Sequence, residues 1–92
     1  MRDSPSVTLR LVYLARLREA FDRADECFAL PAVGEPTVAS LLDALRARGG
    51  AYAAELGGSR AVRVAVNHAV ATPQSRLHDG DEVALFPPVT GG

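Results

Sequence analysis

The chain has 92 residues, 48% of them hydrophobic and 23% charged, which bounds it to one globular domain with a modest core. A net charge of -1 excludes the global field that draws nucleic acid or an anionic membrane, and the single cysteine, Cys27, excludes an intramolecular disulfide. All ten basic residues are arginine, so no side chain offers a Schiff-base amine or an isopeptide acceptor, and a coding bias towards arginine accounts for this.

In chain order, Met1 to Ser6 reads as a frayed polar lead-in. No apolar run approaches a signal peptide or a membrane span, so a cytoplasmic location is expected. Val7 to Leu14 alternates, with Val7, Leu9, Leu11 and Tyr13 on one face and Thr8, Arg10, Val12 and Leu14 on the other, which is a strand. Arg16 to Ala24 is a short helix carrying Leu17, Phe21 and Ala24 at helical spacing. Glu26 to Leu30 is a second strand, with Phe28 and Leu30 inward and Pro31 as its end. Ala32 to Pro36 is a loop.

Thr37 is placed to cap the main helix. Its stripe is Val38, Leu41, Leu42 and Leu45. Arg46 and Arg48 suit its C-terminal dipole, and Gly49-Gly50 stops it. Ala51 to Leu56 forms a further helical turn closed by Gly57-Gly58. Val62, Val64 and Val66 define a third strand, Asn67-His68 a turn, and Ala69 to Ala71 a short edge strand. Leu77 anchors the loop from Thr72 to His78, and Asp79-Gly80 makes a tight turn. Glu82 to Phe86 is the last strand.

The order β-α-β-α-β-(β)-β gives an α+β domain of two layers, without repeats or interdomain linkers. Residues 1–92 are expected to form one unit, a mixed four- to five-stranded sheet with one main helix across one face. Leu9, Leu11, Tyr13, Val62, Val64, Val66, Val83 and Leu85 face that helix. Val12, Leu14, Ala65, Ala84 and Phe86 then face away, a partly apolar open surface of the kind that marks an interface. Arg10 and Arg63 share that side and could meet acidic residues of a partner.

After Phe86 come Pro87, Pro88, Val89, Thr90, Gly91 and Gly92. The prolines end sheet pairing and hold the start of this tail stiff. Extended at about 3.3 Å per residue, residues 87–92 reach roughly 20 Å from the sheet. No side chain after Glu82 is charged, so the tail can enter a narrow channel with only its terminal carboxylate to desolvate. The two glycines keep Cβ atoms away from the terminal carbon.

Three stretches carry a family resemblance: Leu9-Arg10-Leu11-Val12-Tyr13-Leu14-Ala15-Arg16-Leu17-Arg18-Glu19, Leu77-His78-Asp79-Gly80-Asp81-Glu82-Val83-Ala84, and Phe86-Pro87-Pro88-Val89-Thr90-Gly91-Gly92. With the element order, they resemble the β-grasp of ubiquitin-like proteins and, within it, the small subunits of molybdopterin synthase, which are sulfur carriers. The resemblance implies a cycle. A ubiquitin-activating-type adenylyltransferase would use ATP to adenylate the carboxylate of Gly92, and sulfur would replace AMP to give a thiocarboxylate. The tail would enter a large subunit, in a heterotetramer with the small subunits outermost. Sulfur would pass to cyclic pyranopterin monophosphate, towards the dithiolene of molybdopterin. The chain would be no enzyme alone and would hold no cofactor of its own. A sulfur carrier for thiamine thiazole or cysteine synthesis, and a ubiquitin-like binding module without sulfur transfer, are the alternatives.

Other chemistry-bearing residues have plainer readings. Cys27 is expected to be a small buried core residue rather than the sulfur carrier. His68 and His78 are expected to be surface histidines. Asp79, Asp81 and Glu82 suit turn formation better than metal binding, and no metal site is expected.

Overall fold

The computed structural model describes residues 6–32, 34–57 and 62–88. The expected lead-in, Gly58 and tail residues Val89, Thr90, Gly91 and Gly92 lie outside these or, for the lead-in, have only Ser6 inside. Five strands, β1 (Ser6–Tyr13), β2 (Asp25–Pro31), β3 (Arg63–Val66), β4 (Ala69–Val70) and β5 (Glu82–Phe86), form one sheet in the order β2-β1-β5-β3-β4. β1 and β5 run parallel at its centre, and the other neighbours are antiparallel. Three helices, α1 (Arg16–Phe21), α2 (Val38–Arg46) and α3 (Gly50–Leu56), complete the fold.

Alternation in β1 sends Leu9, Leu11 and Tyr13 fully into the core, and β5 does the same with Val83 and Leu85. Against them α2 packs Val38, Leu41 and Leu45, with Leu42 only partly covered. Leu17 and Phe21 of α1, Leu30, Leu56, Val64 and Leu77 close the core, while Val62 and Val66 sit at its margin. Each fully buried leucine or valine contributes roughly 1.5–3 kcal/mol by leaving water. The start of α2 is fixed as expected, with Ser40 in place of the usual acidic partner of a capping box. Thr37 accepts from the Ser40 N–H at 3.2 Å, and the Thr37 N–H donates to the Ser40 hydroxyl at 2.8 Å.

The first helix is shorter than its periodicity predicts. Asp22 takes a left-handed conformation at φ 56°, its N–H closing on the carbonyls of Arg18 and Glu19. Ala24 is consequently exposed, and its carbonyl accepts from the Tyr13 N–H in the sheet ladder. Gly49 and Gly50 end α2 through positive φ, yet Gly50 at once begins α3. Arg48 therefore lies beyond the helix rather than in its last turn.

Arg48 instead joins a polar knot that the hydrophobic pattern did not reveal. Glu26 lies on the core face of β2 and receives both Arg48 terminal nitrogens at 2.9 and 3.0 Å, Arg23 at 3.0 Å, and the hydroxyls of Tyr13 and Tyr52. The Arg48 guanidinium also covers the rings of Phe28 and Tyr52, at 4.9 and 4.8 Å from their centres. Burial, then the hydrogen bond to Glu26 and its charge, push the Tyr13 hydroxyl far above the ordinary phenol range. For Glu26, burial alone raises the pKa. Hydrogen bonds from Arg48 and Tyr13, with the charges of Arg48 and Arg23, outweigh it and hold the carboxyl below its ordinary range.

A folded-state pKa below the unfolded one means that Glu26 stabilises the fold above the unfolded value and loses that contribution as pH falls through the folded one. Glu26→Gln is expected to cost about 1–3 kcal/mol at neutral pH. Denaturant titrations should show that cost shrinking on acidification. Ala15 has φ 53° and ψ -128°, the first central position of a II′ turn closed by the Leu17 N–H on the Leu14 carbonyl at 3.1 Å. Alanine is strained there and glycine is not, so Ala15→Gly should raise stability by about 1 kcal/mol in thermal melts, against the usual sign of that substitution.

Candidate functional site: the open sheet face and the strand that ends at the tail

The register of the central strands builds the outer surface. Val12 lies beside Ala84, Ala84 beside Ala65, and Ala65 beside Val70. One apolar row therefore crosses four strands, from β1 to β4. Phe86 continues the surface towards the tail, half-buried and paired with Arg63. Leu14 lies just past β1, its N–H donating to the Leu85 carbonyl at 3.1 Å and its side chain 42% exposed. Val12, Leu14, Ala65, Ala84 and Phe86 thus share the side opposite α2, as the alternation predicts. Pro87 and Pro88 follow β5 directly and are half-buried.

Val70 was missed by sequence reasoning, although it is 73% exposed and the most exposed large apolar side chain of the face. The signal was present. Asn67 and His68 both have positive φ, at 49° and 71°, the mark of a two-residue I′ hairpin. Counting outward from such a turn pairs Val66 with Ala69 and Ala65 with Val70, which fixes Val70 on the outer side. Asn67 locks this corner to β5: its side chain donates to Asp81 at 3.0 Å and accepts from the Glu82 N–H at 3.0 Å.

The rest of the face is polar. Arg10 lies between Cys27 and Glu82 and forms an ion pair with Asp25 of its own sheet at 3.1 Å. Arg63 is exposed at the edge nearest the tail. Cys27 is exposed, which corrects the expectation of a buried core residue. Its register partner is Arg10, so alternation turns it outward while Glu26 and Phe28 turn in. His68 and His78 are both exposed, near Glu82 and Asp81 at 3.7 and 3.8 Å. Asp81 accepts from the His78 N–H at 2.8 Å, the turn-forming role expected of it, whereas Asp79 reaches across to β1 and accepts from the Thr8 N–H at 2.7 Å.

Two crevices are lined by described residues alone. A crevice of about 320 Å³ lies by the end of α1, among Arg18, Glu19, Asp22, Arg23 and Ala24, and one of about 260 Å³ lies between α2, β3 and the 71–73 loop. Among the described residues, no three His, Cys, Asp or Glu side chains are grouped to hold a metal, and no helix is long and apolar enough to cross a membrane.

The architecture defines a ubiquitin-like β-grasp protein whose distinctive surface is a sheet face beside a C-terminal segment. The ThiS family pattern matches residues 11–92, and the chain belongs to that family of sulfur carriers. It is 42% identical over 57 residues to the molybdopterin synthase sulfur carrier subunit of Escherichia coli, a match covering 62% of this chain and 69% of that protein. Among solved structures it resembles a putative molybdopterin converting factor, subunit 1, from Pyrococcus furiosus, with a TM-score of 0.75, 30% identity, and 91% of this chain and 100% of that one covered. It also resembles SAMP1 from Haloferax volcanii, with a TM-score of 0.74, 29% identity, and 92% and 99% covered.

Because the Val70 side chain has little to lose on the outer face, Val70→Asp is expected to change stability by less than about 0.5 kcal/mol. Ala84→Asp, half-buried in the same row between two β-strands, should cost more in the same melt.

Proposed function

We propose that this chain is the sulfur-carrier small subunit of a molybdopterin synthase. The observation that carries the reading is the course of β5: it places Ala84 and Phe86 on the apolar face and then runs into Pro87. The identity to the Escherichia coli sulfur carrier subunit supports it, as does the run from Phe86 to Gly92.

In this reading the only reacting group is the carboxylate of Gly92. A carboxylate is a poor electrophile. Attack by its oxygen on the α-phosphate of ATP, catalysed by an adenylyltransferase of the ubiquitin-activating type, expels pyrophosphate and leaves an acyl-adenylate. A sulfur donor then displaces AMP and leaves a thiocarboxylate. The large subunit receives the tail, Pro87 and Pro88 setting its direction and Val89, Thr90 and Gly91 its reach. There the sulfur is delivered to cyclic pyranopterin monophosphate. Val12, Leu14, Ala65, Ala84 and Phe86 dock the large subunit, with Arg63 and Arg10 at the rim, in a heterotetramer. The chain itself supplies position and a carboxyl group, and the catalytic side chains belong to the partner.

The likeness to SAMP1, a small archaeal modifier protein by name, favours a second reading, in which Gly92 is joined to amines of other proteins. The absence of lysine would then prevent the chain from extending itself through side chains. Intact-mass spectrometry of protein from cells making the cofactor separates the two. Replacement of one oxygen by sulfur at Gly92 is the expected result; Gly92 found only in amide linkage to other proteins would overturn the carrier reading. Deleting Gly92, or adding a residue after it, should abolish sulfur transfer in a reconstituted assay with an unchanged melting temperature.

A further inference from the structure

β4 is the shortest described strand and lies at the edge of the sheet. It pairs with β3 at two positions, Val66 with Ala69 and Ala65 with Val70, and no described strand covers its other side. Val70, 73% exposed, therefore stands on a strand that apolar packing does not fix. What fixes it is polar and lies at the two ends of the hairpin. At the far end the Ala71 N–H donates to the Val64 carbonyl at 2.9 Å. At the near end the tie is Asn67.

The Asn67 N–H donates to the Glu82 carbonyl at 2.8 Å, as the sheet ladder requires. Its side chain adds two bonds, donating to Asp81 and accepting from the Glu82 N–H, both at 3.0 Å. Asp81 is itself held, since its carboxylate accepts from the His78 N–H at 2.8 Å and its carbonyl from the Arg10 N–H at 2.9 Å. Arg10 and Glu82 are the first register pair of β1 with β5. The Asn67 amide thus ties the corner of the β3–β4 hairpin to the point where the two central strands begin to pair. The turn itself does not need this bridge. Its positive φ values, 49° at Asn67 and 71° at His68, are met at least as well by glycine. A side chain that tolerates that backbone and also both donates and accepts is asparagine; aspartate can only accept.

We propose that Asn67 is a positioning residue for docking: its side-chain bridge sets where β4 presents Val70 relative to β5, so that Val70, Ala65 and Ala84 meet the large subunit as one surface. The inference rests on the docking reading above and adds to it a residue that acts through Val70. With the bridge cut, β4 stays paired to β3 but its orientation spreads. The large subunit must then order the strand as it binds, and that cost appears as lost affinity.

The test is a double-mutant cycle on the full chain, titrated calorimetrically into the large synthase subunit, with melting temperatures measured alongside. Asn67→Gly keeps the left-handed turn and removes both side-chain bonds. Val70→Ala removes the side chain that the bridge places. Each single change should weaken binding several-fold. The double variant should bind no more weakly than Val70→Ala, although Asn67→Gly should still lower the melting temperature in that background. Asn67→Asp, which sets a second carboxylate against Asp81, should weaken binding with the same dependence on Val70. Native affinity in Asn67→Gly, or losses of affinity that add in the double variant, would overturn the positioning role and leave the docking reading standing. A native chain that does not bind the large subunit would overturn both.

Discussion

The fold depends on the parallel pairing of β1 with β5. Five residues near the end of the described chain, Glu82 to Phe86, sit between β1 and β3 at the middle of the sheet. Val83 and Leu85 are fully buried beneath them. Removing β5 would part the sheet into two antiparallel pairs and open the core along its length. The segment closest to the tail is thus also the segment most firmly held, with Pro87 marking the change from paired strand to tail.

That placement gives the two faces of β5 different work. Its inner side ties β1 to α2 through the core, and its outer side supplies the middle of an apolar row that begins at Val12 and ends at Val70. The identities along that row are small in the centre, Ala84 and Ala65, and larger at the ends. A surface of this shape is shallow and lacks acid–base machinery. It suits docking better than catalysis. The polar half of the same face, around Arg10, Asp25 and Cys27, lies towards the opposite edge, so the sheet presents two chemically distinct borders.

Periodicity made most of this legible. The alternation of Leu9, Leu11 and Tyr13, the stripe from Val38 to Leu45, and the run from Glu82 to Phe86 each fall where their spacing places them, because apolar burial dominates both. What spacing could not supply was polar and long-range. Glu26 reads as an ordinary charged residue on a strand, yet two tyrosines, 13 and 26 residues away in sequence, and Arg48 converge on it. No local pattern encodes that convergence. Cys27 was misplaced because a cysteine in a strand reads as core, whereas the phase is set by its neighbours Glu26 and Phe28, held inward by Arg48. The left-handed Asp22 and the strained Ala15, neither a glycine, explain why α1 ends early and starts so abruptly.

We propose that the outer row beside β5 docks a large synthase subunit. Hydrogen exchange of this chain, measured with and without that subunit, tests it most directly. The account predicts added protection at Val12, Ala65, Val70, Ala84 and Phe86, spreading from the tail side of the sheet. Protection confined to α1 and α2, with that row unchanged, would contradict it.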